Sequence, residues 1–177
     1  MSSDAGINAV KLPSGQAITA ALKKAGIEFI ISVPDIVTSD GLLWPISKDP
    51  DFKLVRVCKE DEGVSICGAM SYNNTRALLL MQQTGLMDSL NAIRAIGVDY
   101  QLPICMMVGL QGKEPELKSA ESSSYGVRII QPILDAMQIN YRVIEEPEDV
   151  QHICEDVESA YRSSSIFVFI IARSPDI

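Results

Sequence analysis

The sequence predicts an α/β domain, a doubly wound and mostly parallel six-stranded sheet with helices on both faces. Two observations carry this. Short apolar, branched runs alternate with helical patterns from end to end, the mark of strands joined by helical crossovers and covered on both sides. A length of 177 residues with 47% hydrophobic content supplies the core of one such domain, 1–177.

The first helix is expected to start with Ser14 as N-cap and to stop at Gly26, because Ile18, Ala21, Leu22 and Ala25 fall at helical spacing between those two signals. The strands are expected at Glu28 to Val33, Lys53 to Cys58, Arg76 to Gln82, Pro103 to Leu110, Tyr141 to Ile144 and Ile166 to Ala172. Between them, helical patterns cover Asp61 to Tyr72, Met87 to Ile96, Val127 to Met137 and Pro147 to Tyr161. Leu90, Ile93 and Ile96 share one face of the Met87 to Ile96 pattern, which is expected to pack against another chain. One long segment stays irregular, Gln111 to Tyr125, with Gly112, Pro115 and three consecutive serines; it is expected to be the most mobile part of the chain.

Composition excludes several functions. The formal charge of −8 and a pI near 4.6 argue against a nucleic-acid surface, which needs a concentrated basic patch. Apolar runs such as Ile166 to Ala172 are too short to span a bilayer, and the Ser- and Asp-containing start lacks a basic region followed by a long apolar core, so no membrane contact and a cytoplasmic location are expected. The cysteines, Cys58, Cys67, Cys105 and Cys154, form neither a CxxC pair nor a Cys/His cluster and read as buried, reduced thiols; no metal site is expected on this chain. His152 lies among acidic residues of a polar helix and reads as a surface residue. No GxGxxG, GxxxxGK[ST], GxSxG or HExxH occurs.

In an open sheet of this kind the ligand crevice lies beyond the carboxyl ends of the strands. Four segments converge there: Val33-Pro34-Asp35, Lys59 to Gly63, Gln82-Gln83-Thr84-Gly85, and Gly109 to Glu114. Glu62 ends what reads as a buried strand and opens a helix. It fits either an acidic first turn complementing the helix dipole or, if it points inward, a carboxylate in a low-dielectric crevice, with Gly63, Gly68 and Ala69 leaving room for a flat ligand. Asp35 fits either a turn residue bonded to its own backbone or a proton relay. Gln82, Gln83, Thr84 and Gly85 present amides, a hydroxyl and a glycine at a strand exit. Gln111 and Lys113 could meet an anionic substrate; Lys118 and Arg128 flank the same loop.

Taken in order, SVPD at 32–35, KEDEGVSICGAMSY at 59–72, LLLMQQTGLMDSLNAI at 78–93 and PICMMVGLQGKEP at 103–115 resemble the pyrimidine-binding (Pyr) domain of thiamine diphosphate-dependent 2-oxo acid decarboxylases. The resemblance runs from Ser14 to Ala172. It implies that Glu62, at the family's EG position, contacts N1′ of the cofactor's aminopyrimidine, with Gln83, Thr84 and Gly85 beside the cofactor and Asp35 as a second catalytic group. It also implies a small anionic 2-oxo acid as substrate, with Gln82, Gln111 and Lys113 as its contacts. The expected substrate is 3-sulfopyruvate, with phosphonopyruvate as the alternative. A non-catalytic subunit that keeps the fold and a flavodoxin-like binding module are the rival readings.

Two departures from the family pattern matter. Thr84-Gly85-Leu86-Met87-Asp88 replaces the family's SGLGN, and no histidine is available in this half of a site. The diphosphate-binding (PP) domain of the family carries GDG followed downstream by NN, which supply the Mg²⁺ ligands, and this sequence contains no GDG. The resemblance therefore implies a split enzyme in which a separate beta subunit brings the PP domain, completing a hetero-oligomer.

Overall fold

The computed structural model describes residues 11–177. The residues read for the absence of a leader include the first ten, which lie outside the described residues. In chain order the elements are α1 (Gly15–Lys24), β1 (Phe29–Ser32), a π-helical turn (Ser39–Leu43) running into α2 (Trp44–Ile46), β2 (Lys53–Arg56), α3 (Glu60–Tyr72) and β3 (Ala77–Gln82). Then follow α4 (Gln83–Asp88), α5 (Leu90–Ala92), a second π-helical turn (Ile93–Val98), β4 (Cys105–Gly109), a 3₁₀ turn (Ser119–Glu121), α6 (Tyr125–Arg128) and α7 (Ile130–Ala136). The chain closes with β5 (Asn140–Ile144), a 3₁₀ turn (Pro147–His152), α8 (Ile153–Ser163) and β6 (Phe167–Ile171).

All six expected strands form, and every pairing is parallel in the order β2-β1-β3-β4-β6-β5. Strand residues alternate between two cores. Leu78, Leu80, Cys105, Met107, Phe169 and Ile171 face α1, the 39–46 segment and α8. Leu79, Met81, Met106, Val108, Val168 and Ile170 face α3, α4 and α7. Burial on both sides is why these strands read as unbroken apolar runs.

α1 begins where expected: the Ser14 hydroxyl accepts from the Ala17 amide at 3.3 Å. The Met87 to Ile96 pattern is corrected. It breaks into α4, α5 and the second π-helical turn, and α4 begins at Gln83, so Gln83 to Gly85 form a helical turn directly after β3. Ile93 is 1% exposed, and Ile96 packs on α3 so tightly that a Cβ at Gly68 would lie 2.5 Å from its Cγ2. Two of the three residues expected to meet another chain, Ile93 and Ile96, therefore pack inside this one, while Leu90 is half-buried. The Val127 to Met137 pattern also splits, at Ile129, because Pro132 has no N–H to offer the carbonyl four residues back. The helical 39–46 segment was not anticipated.

β2 is an edge strand with Lys53 and Arg56 exposed, which corrects the expectation that Glu62 follows a buried strand. Two thiols depart from the buried reading: Cys58 is exposed and Cys154 half-buried, while Cys67 and Cys105 are buried. Burial pushes the Cys105 thiol up to about 12 and the Cys67 thiol higher still, so both stay protonated and inert. His152 is half-buried beside Gln151. Among the described residues no helix is long and apolar enough to cross a membrane.

Candidate functional site

Strand order determines where a ligand can sit. After β1 the chain turns onto the α1 side of the sheet, and after the neighbouring β3 it turns onto the α3 side, so the exits of β1 and β3 diverge and leave a crevice at their carboxyl ends. The four predicted segments all lie at this end of the sheet.

Glu62 is exposed at the third position of α3. Its Oε2 reaches back to accept from the amides of Cys58 at 3.0 Å and Lys59 at 3.3 Å, satisfying donors that the helix start leaves free. Asp61 Oδ1 in turn accepts from the Glu62 amide at 2.9 Å. The inward, water-excluded carboxylate expected from sequence is therefore not formed by this chain alone, since the edge position of β2 leaves nothing to cover it. What the chain does provide is a carboxylate fixed by one oxygen, with Oε1 unbonded among the described residues. The glycines expected to admit a flat ligand serve internal packing. A Cβ at Gly63 would lie 2.5 Å from Leu79 Cδ1, and Gly68 faces Ile96. Ala69 is exposed.

Asp35 is 6% exposed and fully engaged. Its Oδ1 accepts from the amides of Val37 at 2.7 Å and Thr38 at 2.9 Å, and Oδ2 takes the Thr38 hydroxyl. This knot folds the β1 exit over β4, where a Cβ at Gly109 would come 2.8 Å from Asp35 Oδ1. The geometry is that of the turn residue, the first of the two readings.

Gln83 is also buried, at 4% exposure. Its amide group clamps the backbone of Gln111, donating to the carbonyl at 2.8 Å and accepting from the amide at 2.9 Å. The β3 and β4 exits are thereby locked together, and the Gln111 side chain is left exposed. Gln82 donates to the Thr84 hydroxyl at 3.1 Å, with Thr84 exposed at the crevice and Gly85 buried behind it.

Lys113 points away from this crevice. Its side chain is 1% exposed, and its ammonium donates to Glu145 Oε1 at 2.8 Å and to the Glu114 carbonyl at 3.1 Å. Arg173 joins the group through Glu146 at 2.9 Å. Lys113 is thus a buried tie between the β4 and β5 exits. Lys118 is exposed, and Arg128 donates to the carbonyl of Ser122 at 2.7 Å.

The long segment after β4 is built rather than loose. Glu114 gathers the hydroxyls of Ser123 and Ser122, the latter at 2.7 Å, with the Ser123 amide at 3.1 Å, and Ser119 bonds Gln131 at 3.0 Å. The serine hydroxyls hold the Glu114 carboxyl below its ordinary 4.5, at about 2. A carboxyl whose value is lowered by folding stabilises the folded loop above pH 4.5 and loses that contribution as pH falls toward about 2. An NMR titration of the Glu114 side chain should therefore show a midpoint near 2, with Ser122 and Ser123 amides shifting together. A midpoint at 4.5 would mean that the serine knot does not hold in solution.

No family model matches the chain. The chain is 29% identical over 163 residues to sulfopyruvate decarboxylase subunit alpha of Methanothermobacter thermautotrophicus, covering 92% of this chain and 97% of that one. It is 26% identical over 143 residues to the protein of the same name from Methanococcus maripaludis, covering 81% and 84%. A match of 23% identity to sulfopyruvate decarboxylase of Methanosarcina acetivorans covers 85% of this chain and 38% of that longer protein. Among solved structures, 2-oxoglutarate:ferredoxin oxidoreductase from Magnetococcus marinus shares the fold, with a TM-score of 0.59 at 12% identity over 90% of this chain and 28% of that chain.

Proposed function

We propose that this chain, related along nearly its whole length to alpha subunits of sulfopyruvate decarboxylase, is the pyrimidine-binding half of a split thiamine diphosphate-dependent decarboxylase acting on 3-sulfopyruvate. The observation that carries the reading is Glu62: a carboxylate anchored by one oxygen at the carboxyl end of the sheet, in a chain of which those subunits match 81% to 92%.

The residues fit one end of the cofactor. Glu62 Oε1, unbonded among the described residues, is suited to hold and share a proton at N1′ of an aminopyrimidine, and Thr84, exposed at the β3 exit, lies at the same end of the sheet. The sequence carries no GDG, so the diphosphate and its Mg²⁺ are assigned to a separate subunit bearing GDG and NN. The 38% coverage of the longer Methanosarcina protein supports this division, because well over half of that chain is left to do what this one does not.

Bound there, the cofactor would supply the nucleophile and the electron sink that decarboxylation of a 2-oxo acid needs. The work of this chain is narrower. The Cys58 and Lys59 amides hold Glu62 in place, and Glu62 moves the proton at N1′ that the chemistry requires. Its exposure in the single chain assigns a further task to the second subunit, which must cover the crevice and exclude water. The partner also completes the hetero-oligomer that the name "subunit alpha" implies for the relatives.

Calorimetric titration tests the assignment. Thiamine diphosphate with Mg²⁺ should bind saturably to the chain mixed with its GDG-bearing partner and at least about tenfold more weakly to the chain alone, since half of the contacts are missing. Equal binding to both would refute the division of labour.

A further inference from the structure

Glu60, the first residue of α3, has no part in the reading above. Its half-buried side chain lies across Gly85, so close that a methyl group at residue 85 would collide with Cγ, Cδ and Oε1 of the glutamate. Asp61 and Glu62 are each bonded to backbone amides, whereas no hydrogen bond or ion pair among the described residues holds Glu60. Gly85 is not a conformational necessity either, because the positive-φ glycines are Gly26 and Gly112. A glycine inside α4 is less favourable to the helix than alanine would be. What residue 85 requires is space, and Glu60 fills it.

We propose that Glu60 is a positioning residue, a spacer that sets the distance between the first turn of α3, which carries Glu62, and the first turn of α4, which carries Gln83 and Thr84. The inference rests on the cofactor reading of this site. It accounts for the glycine at residue 85 and for a glutamate without a bonding partner, since packing against the bare Cα needs the methylenes and the flat carboxyl group rather than the charge.

Three substitutions separate spacing from charge. Glu60→Gln keeps the shape, Glu60→Ala removes the spacer and Gly85→Ala evicts it. In the complex with the GDG-bearing subunit, Glu60→Ala should raise the calorimetric Kd for thiamine diphosphate about tenfold, the scale of a misplaced contact. Glu60→Gln should stay within about twofold, and the Glu60→Ala/Gly85→Ala double variant should be no worse than Gly85→Ala alone. In the free chain, without cofactor, Gly85→Ala should lower Tm and the added Glu60→Ala should restore part of the loss. Wild-type affinity in Glu60→Ala, an equal loss in Glu60→Gln, or multiplying effects in the double variant would overturn the inference. Failure of the wild-type complex to bind thiamine diphosphate would sink the cofactor reading first, and is seen before any variant is made.

Discussion

Glu62→Gln is expected to lower the turnover of the reconstituted enzyme by at least about a hundredfold, the scale associated with removing a proton-handling group. Glutamine fills the same volume, and its side-chain oxygen can still accept from the Cys58 and Lys59 amides, so the start of α3 should survive. Glu62→Ala tests the other role of the residue. It removes the acceptor as well, and should cost about 1 kcal/mol of stability, comparable to the loss of a helix cap. Two variants thus divide two functions: Gln should lose the chemistry and keep the fold, while Ala loses the chemistry and some of the fold. Near-full activity in Glu62→Gln would remove Glu62 from the mechanism.

The second large effect concerns Lys113. Because its ammonium is buried against Glu145, Lys113→Met should destabilise the chain by about 3 kcal/mol, the lower end of the range of about 3–5 kcal/mol seen when one partner of a buried pair is removed, since the neighbouring Arg173 still faces Glu145. Chemical denaturation of the free chain measures this directly. The role given to Lys113 by sequence, a contact to the anionic substrate, predicts the reverse pattern: a raised KM in the assembled enzyme with stability little changed. A stable Lys113→Met variant with a raised KM would restore that role.

How much of this was legible in the sequence depended on whether the cause was local. Leu78 to Met81, Cys105 to Val108 and Phe167 to Ile171 announce their strands because each residue meets a core on one side or the other. Ser14 announces α1 because a cap acts within one turn. The 39–46 helical segment was missed because Gly41 and Pro45 are local breakers, outweighed in the fold by burial of Leu42, Leu43 and Ile46. The exposure of Glu62 depends on β2 lying at the sheet edge, a property of strand order; Lys53 and Arg56 within that strand were the available hint.

The site residues show the same division. Glu62 and Asp35 were singled out by type and place, yet the bonds that hold Asp35 to Val37 and Thr38 decide between its two readings, and they follow from a turn geometry the residues permit without compelling. Lys113 and Glu145 lie far apart in the chain, and nothing along the sequence pairs them. The contact of Glu60 with Gly85 likewise joins two helices that meet only after the sheet has formed.

The most direct test of the central claim is carbon dioxide release from 3-sulfopyruvate, measured for this chain alone, for its GDG-bearing partner alone, and for the two mixed with Mg²⁺ and thiamine diphosphate. Turnover is expected in the complete mixture only, and should vanish when the cofactor or either subunit is withheld. Release by this chain alone, release from the mixture that does not depend on thiamine diphosphate, or no release from a complete mixture that binds the cofactor would contradict the account.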